Sequence, residues 1–216
     1  MGFRAIRYCL NNAEQYKVQL RALLRASAFG DIKIMLPLVT TVDEVRQAKA
    51  LVEECKRELD AEGVAYNKDI EVGTMIETPS ASLIADKLAR ECDFFSIGTN
   101  DLIGYTMCAD RGNDRVAYLY EVYQPSVLRS LKYLIGEGNK EKIMVGMCGE
   151  AAADPLLIPV LLSFGLDEFS VSAPSVLRTR KTIAAWTKAE ADELTARVME
   201  LDTAAEVKAL LEREAR

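Results

Sequence analysis

Histidine is absent from the 216 residues. That removes Ser-His-Asp and Cys-His nucleophilic sites, His-ligated metals and any phosphohistidine from this chain. No Cys-x-x-C pair occurs either. The five cysteines, Cys9, Cys55, Cys92, Cys108 and Cys148, are an odd number and widely scattered, which argues against a disulfide framework or a zinc site and for reduced thiols in a cytosolic protein. No run approaches the roughly 18 apolar residues of a membrane span, and the opening segment Met1–Arg7 shows no apolar signal region. Positive charge is in deficit: 27 Lys and Arg against 33 Asp and Glu leave a net charge of −6 and a pI near 5.0. The expectation is a soluble cytoplasmic protein whose main partner is neither nucleic acid nor an anionic membrane. Any anionic ligand must be held by a local arrangement of donors.

What is present suffices for a packed core. Half the residues are hydrophobic, 28% are charged and the mean hydropathy is +0.01, outside the disordered range. At about 150 residues per domain the length suits one large domain or two small ones. No low-complexity stretch or Ser/Gly linker divides it, so residues 1–216 are taken as one domain.

Helical and strand patterns alternate along the chain. Residues 12–29 place Ala13, Tyr16, Leu20, Leu23 and Leu24 on one helical face and stop at Gly30. Residues 32–38 form a compact apolar run read as a strand. Thr41 and Glu44 make a capping box, with Val45, Ala48, Val52, Cys55 and Leu59 at helical spacing behind it. A second strand is expected at 70–76, followed by Thr78 as N-cap and Pro79 at the first helical position. Further strands are expected at 93–97, 143–147 and 168–172, with helices between them clearest at 125–135 and 153–164. Two more capping boxes, Thr187 with Glu190 and Thr203 with Glu206, open a closing helical hairpin. Strands separated by helices predict an α/β fold with parallel β-α units, either an open doubly wound sheet or a (β/α)8 barrel with pieces missing.

Three polar clusters follow three of these strands: Glu77-Thr78-Pro79, Gly98-Thr99-Asn100-Asp101-Leu102 and Cys148-Gly149-Glu150. In parallel α/β proteins this end of the sheet is where ligands bind. Glu77 and Asp101, on neighbouring strands, suit a hard divalent cation such as Mg²⁺, which takes one or two carboxylates together with substrate oxygens. Main-chain N–H groups around Asn100 and Asp101 could cradle an anion at a helix start, and Arg111 offers a planar fork for phosphate or carboxylate. Each residue also has a plain structural explanation. Asn100 or Asp101 could be an N-cap, Glu77 a complement to a helix dipole, Cys148 an inert buried thiol, Arg111 a surface ion pair and Arg4 part of a solvated terminus.

The blocks Gly2-Phe3-Arg4-Ala5-Ile6-Arg7, Met75-Ile76-Glu77-Thr78-Pro79, Asp93 to Leu102, Asp110-Arg111-Gly112-Asn113-Asp114 and Gly146-Met147-Cys148-Gly149-Glu150 occur in this order. Together they resemble the C-terminal domain of the enzyme I family, the phosphoenolpyruvate-protein phosphotransferases of the bacterial sugar phosphotransferase system. The resemblance implies a phosphoenolpyruvate-binding and dimerising (β/α)8 barrel, truncated here on its N-terminal side to about five β-α units of a longer enzyme. It implies Mg²⁺ on Glu77 and Asp101, phosphate held by Asn100 and paired with Arg4 and Arg111, and Cys148 as the general acid that turns the enolate into pyruvate. It also implies partners outside the chain: a phosphohistidine domain, its phosphocarrier protein and a second copy. Gly104 and Ala153 depart from the family pattern, which usually has Gln and Gly there. The alternative expectation is an enzyme like phosphoenolpyruvate synthase or pyruvate phosphate dikinase, or a Mg²⁺-dependent 2-oxo-acid lyase of the same barrel group.

Overall fold

The computed structural model describes residues 2–216. Its five strands are β1 (Ile34–Leu36), β2 (Val72–Ile76), β3 (Phe94–Gly98), β4 (Met144–Cys148) and β5 (Glu168–Phe169). All neighbours run parallel and the spatial order is β1-β2-β3-β4-β5. A doubly wound sheet reverses its order at a switch point, whereas an order that follows the chain without reversal is that of a (β/α) barrel. Five successive β-α units of such a barrel are therefore present, with β1 and β5 at the two open edges.

The sheet has one covered and one open face. Ile34 and Leu36, Val72 and Ile76, Phe95 and Ile97, and Val145 and Met147 are buried under the helices. Register puts Met75 beside Ser96 and Gly98 beside Cys148 on the opposite, inner face. There Met35 is 41% exposed and Met75, Ser96, Met144 and Cys148 are half-buried.

The covering helices follow from their sequences. The short α1 (Ile6–Asn11) leads into α2 (Ala13–Ala26), which buries Tyr16, Leu20 and Leu24. α3 (Val42–Ala61) opens on the complete Thr41–Glu44 capping box and buries Val45, Ala48, Val52, Cys55 and Leu59, as expected. The Thr78 side chain accepts from Ala81 N, and Pro79 begins α4 (Pro79–Leu83). This helix breaks at Ile84, which lies outside helical geometry, and resumes as α5 (Ala85–Leu88). Then come α6 (Thr99–Thr106), α7 (Pro125–Glu141), α8 (Ile158–Phe164), α9 (Val176–Ala184), α10 (Lys188–Val198) and α11 (Ala204–Glu214), the last two with the expected capping boxes.

Several segments are shorter than expected, among them β2, which starts at Val72, and β5, which covers only Glu168–Phe169 of the 168–172 expected. The 32–38 run pairs only over Ile34–Leu36, because Pro37 has no N–H to donate and Leu38 turns to φ 58°. The 153–164 helix begins at Ile158, since Glu150–Ala153 form a 3-10 turn after Gly149. Among the described residues no helix is long and apolar enough to cross a membrane.

Candidate phosphate and metal site

Glu77 follows β2 directly and is only 6% exposed. Its carboxylate accepts a 2.6 Å hydrogen bond from the Leu38 N–H. Leu38 reaches it by taking a positive φ, an uncommon geometry for a residue with a branched side chain. Burial pushes the Glu77 carboxyl up from its ordinary range; the Leu38 bond opposes this, and the charge of nearby Asp101 adds to it. Glu77 thus meets a second carboxylate and caps no helix; Thr78 does that.

Asp101 lies in the first turn of α6, and its Oδ2 is 3.1 Å from Arg4 Nη2. Arg4 is therefore paired across the site instead of solvated alone, 97 residues away in sequence. The helix begins at Thr99 with Gly98 as its N-cap and no side-chain cap. Neither Asn100 nor Asp101 serves as the N-cap, and among the described residues no side chain claims the first-turn N–H groups. Gly98 must stay bare: a Cβ there would lie 2.8 Å from Met75 Sδ and 2.9 Å from Glu77 Cβ and Oε2.

Cys148 ends β4 opposite Gly98. Its thiol is half-buried, with Sγ 3.6 Å from the Ile97 carbonyl oxygen and accepting from Ser96 Oγ at 3.8 Å. The Thr99 hydroxyl donates to the Cys148 carbonyl at 3.0 Å. Gly149 permits this approach with φ 95°, since a Cβ would stand 2.5 Å from Thr99 Oγ1.

Arg111 lies on the exposed loop after α6. Among the described residues it has no ion pair or side-chain hydrogen bond, and Asp110 accepts instead from the Gly112 N–H at 3.4 Å. The structure thus gathers Arg4, Glu77, Asn100, Asp101 and Cys148 at one rim and leaves Arg111 free beside it.

Two contributors escaped the sequence. Leu38 supplies the donor to Glu77. Tyr120 donates its hydroxyl to the Asn100 carbonyl at 2.6 Å. Its phenol is pushed up mainly by burial, opposed by Arg111 and reinforced by Asp101 and Glu150. Its ring also stands against Gly104, where an added Cβ would lie 3.5 Å from Cε2. Asn100, Ile103, Tyr120, Val122, Glu150 and Asp154 line a cavity of about 200 Å³ next to the rim. Only the closeness of Tyr120 to the Asp-Arg-Gly-Asn-Asp block signals it in the sequence.

The donor set fits a divalent cation. Two neighbouring carboxylates are balanced by one guanidinium, and their mutual repulsion is visible in Glu77. Among the described residues no group of three or more His, Cys, Asp or Glu side chains converges. A pair of carboxylates is what a cation that keeps waters and binds substrate oxygens uses.

A parallel sheet in barrel order, with acidic and cationic groups at the carboxyl ends of its strands, defines a small-ligand site of the (β/α) barrel class. The family described as "PEP-utilising enzyme, PEP-binding domain" matches residues 1–188, and the chain belongs to that family. It is 53% identical over 213 residues to the phosphoenolpyruvate-protein phosphotransferase of Geobacillus stearothermophilus, covering 99% of this chain and 37% of that protein. With the Bacillus subtilis protein of the same name it shares 51% identity over 211 residues, covering 98% and 37%. The chain thus spans just over a third of the length of these relatives. Among solved structures, a citrate lyase from Burkholderia xenovorans LB400 superposes with a TM-score of 0.57 at 18% identity, covering 92% of this chain and 68% of that one. At that identity the likeness concerns the fold alone.

Proposed function

We propose that this chain is the phosphoenolpyruvate-binding part of a phosphotransferase that moves the phosphoryl group of phosphoenolpyruvate to a histidine elsewhere, releasing pyruvate, in the sugar phosphotransferase system. The observation that carries this is the convergence of Glu77, Asp101 and Arg4 beside the uncapped start of α6. The relatives at about half identity support the chemistry. They also favour it over a lyase or a dikinase-like enzyme.

Glu77 and Asp101 would hold Mg²⁺, which supplies neutralisation of charge on the substrate oxygens. Arg4 and Arg111 pair with phosphate oxygens, and Arg111 is free to do so. The first-turn N–H groups of α6 and the Asn100 side chain take the remaining anionic oxygens, with Tyr120 steadying the Asn100 carbonyl from behind. Loss of the phosphoryl group leaves an enolate. The Cys148 thiol gives its proton to the enolate carbon, forming the methyl group of pyruvate and leaving a thiolate.

With no histidine in the sequence, the phosphoryl acceptor must lie outside this chain. The partners proposed with it are a phosphohistidine domain and a phosphocarrier protein. A second copy is proposed to pair with one of the free edges at β1 and β5. Five free cysteines suit a cytoplasmic setting. Calorimetric titration of the chain with phosphoenolpyruvate tests the binding: heat is expected with Mg²⁺ and far less without it. Binding of equal strength in both conditions would remove the ligand assignment of Glu77 and Asp101.

A further inference from the structure

A second cavity, of about 350 Å³, lies among the C-terminal helices and shares no lining residue with the rim or with the smaller cavity beside it. Leu156 and Pro159 at α8, Leu194 on α10 and Leu211 on α11 form apolar walls, and Trp186 closes one side. The volume is at the lower end of small-ligand pockets, which combine apolar walls with a few oriented polar groups.

The charged groups lining it are all cations, and the one hydroxyl, of Thr182, is used on the Arg178 carbonyl. Arg216 is already partnered: its guanidinium stacks 4.1 Å from the Trp186 ring, donates to the Ala185 carbonyl at 2.7 Å and pairs with Glu190 at 2.7 Å. That pairing, with the Thr187 capping bonds, holds the Glu190 carboxyl down to about 2, so the acid is already spent on Arg216. Arg178 and Lys181 remain. They lie three residues apart on α9, on one face of the helix. Both are exposed, and among the described residues neither has an ion pair. On a protein of net charge −6 this is a local surplus of positive charge over an apolar hollow.

We propose that this cavity is a binding site for a small amphipathic carboxylate, its apolar body against Trp186 and the leucines and its carboxylate between Arg178 and Lys181. The site is independent of the proposed phosphoenolpyruvate chemistry.

Trp186 is the only tryptophan in the chain, so its fluorescence reports on this cavity directly. Titration with phenylacetate should change that emission saturably, whereas phenylacetamide, of the same shape without the charge, should not. The double variant R178A/K181A, checked for unchanged circular dichroism, should bind phenylacetate about fivefold more weakly, as two partly exposed ion pairs imply. Phosphoenolpyruvate with Mg²⁺ should leave the titration unaltered. No saturable change, an equal response to the amide, undiminished affinity in the double variant or displacement by phosphoenolpyruvate would each overturn the proposal.

Discussion

Glu77 is under opposing demands. An ionised carboxylate that is almost fully buried beside Asp101 destabilises the ligand-free chain, yet the proposed cation needs it ionised. Its folded-state carboxyl is raised above the unfolded value, so the native state holds the proton more tightly. Stability therefore falls as pH rises from the ordinary carboxylate range through the raised value, and stays lower above it. Glu77→Gln keeps an acceptor for the Leu38 N–H and removes the charge. It should raise the apo melting temperature at neutral pH while weakening Mg²⁺-dependent binding of phosphoenolpyruvate by more than about tenfold. A variant that melts lower, or binds as well as the parent, would contradict this double role. Cys148→Ala should leave that binding intact and slow pyruvate formation by the longer enzyme by about 10²-fold or more, measured by a coupled pyruvate assay. The acids and the thiol were legible because they stand at or within a few residues of the ends of apolar runs. Leu38 and Tyr120 were not: they act through bonds spanning 39 and 20 residues, and no local pattern marks a main-chain N–H or a lone phenol as part of a site.

Among the elements, α3 is the most fully written in its sequence. The capping box, the five buried positions and the start of the helix all coincide with the structure. Thr41→Ala removes the acceptor for Glu44 N and should cost about 1 kcal/mol in chemical denaturation; no change would mean the cap is redundant. At the end of β3, Gly98→Ala would drive a methyl group against Met75 and Glu77. A loss of about 1–3 kcal/mol is expected, together with weaker ligand binding, since the displaced neighbour is a proposed ligand. Elements whose limits depend on distant contacts were less legible. β5 pairs over only two residues against β4, short of the strand expected over 168–172. The break at Ile84 and the 3-10 turn after Gly149 have no local signal in the sequence either.

For the whole molecule, the α/β class followed from alternation, but strand order is a long-range property that local periodicity does not contain. The family resemblance implied the barrel, and the unreversed β1-to-β5 order bears it out over a doubly wound sheet. The same order leaves two edges and an inner face carrying Met35, Met75 and Met144 partly uncovered. On the proposal that a copy of the chain covers one edge, light scattering at tens of micromolar should give a dimer or larger; a monomer would remove it. The most direct test of the site is a crystal structure grown with phosphoenolpyruvate and Mn²⁺ in place of Mg²⁺, read by anomalous scattering. One metal peak is expected between the Glu77 and Asp101 carboxylates, with the substrate phosphate at the start of α6 and its methylene carbon facing Cys148. A metal bound elsewhere, or a ligand lying away from this rim, would contradict it.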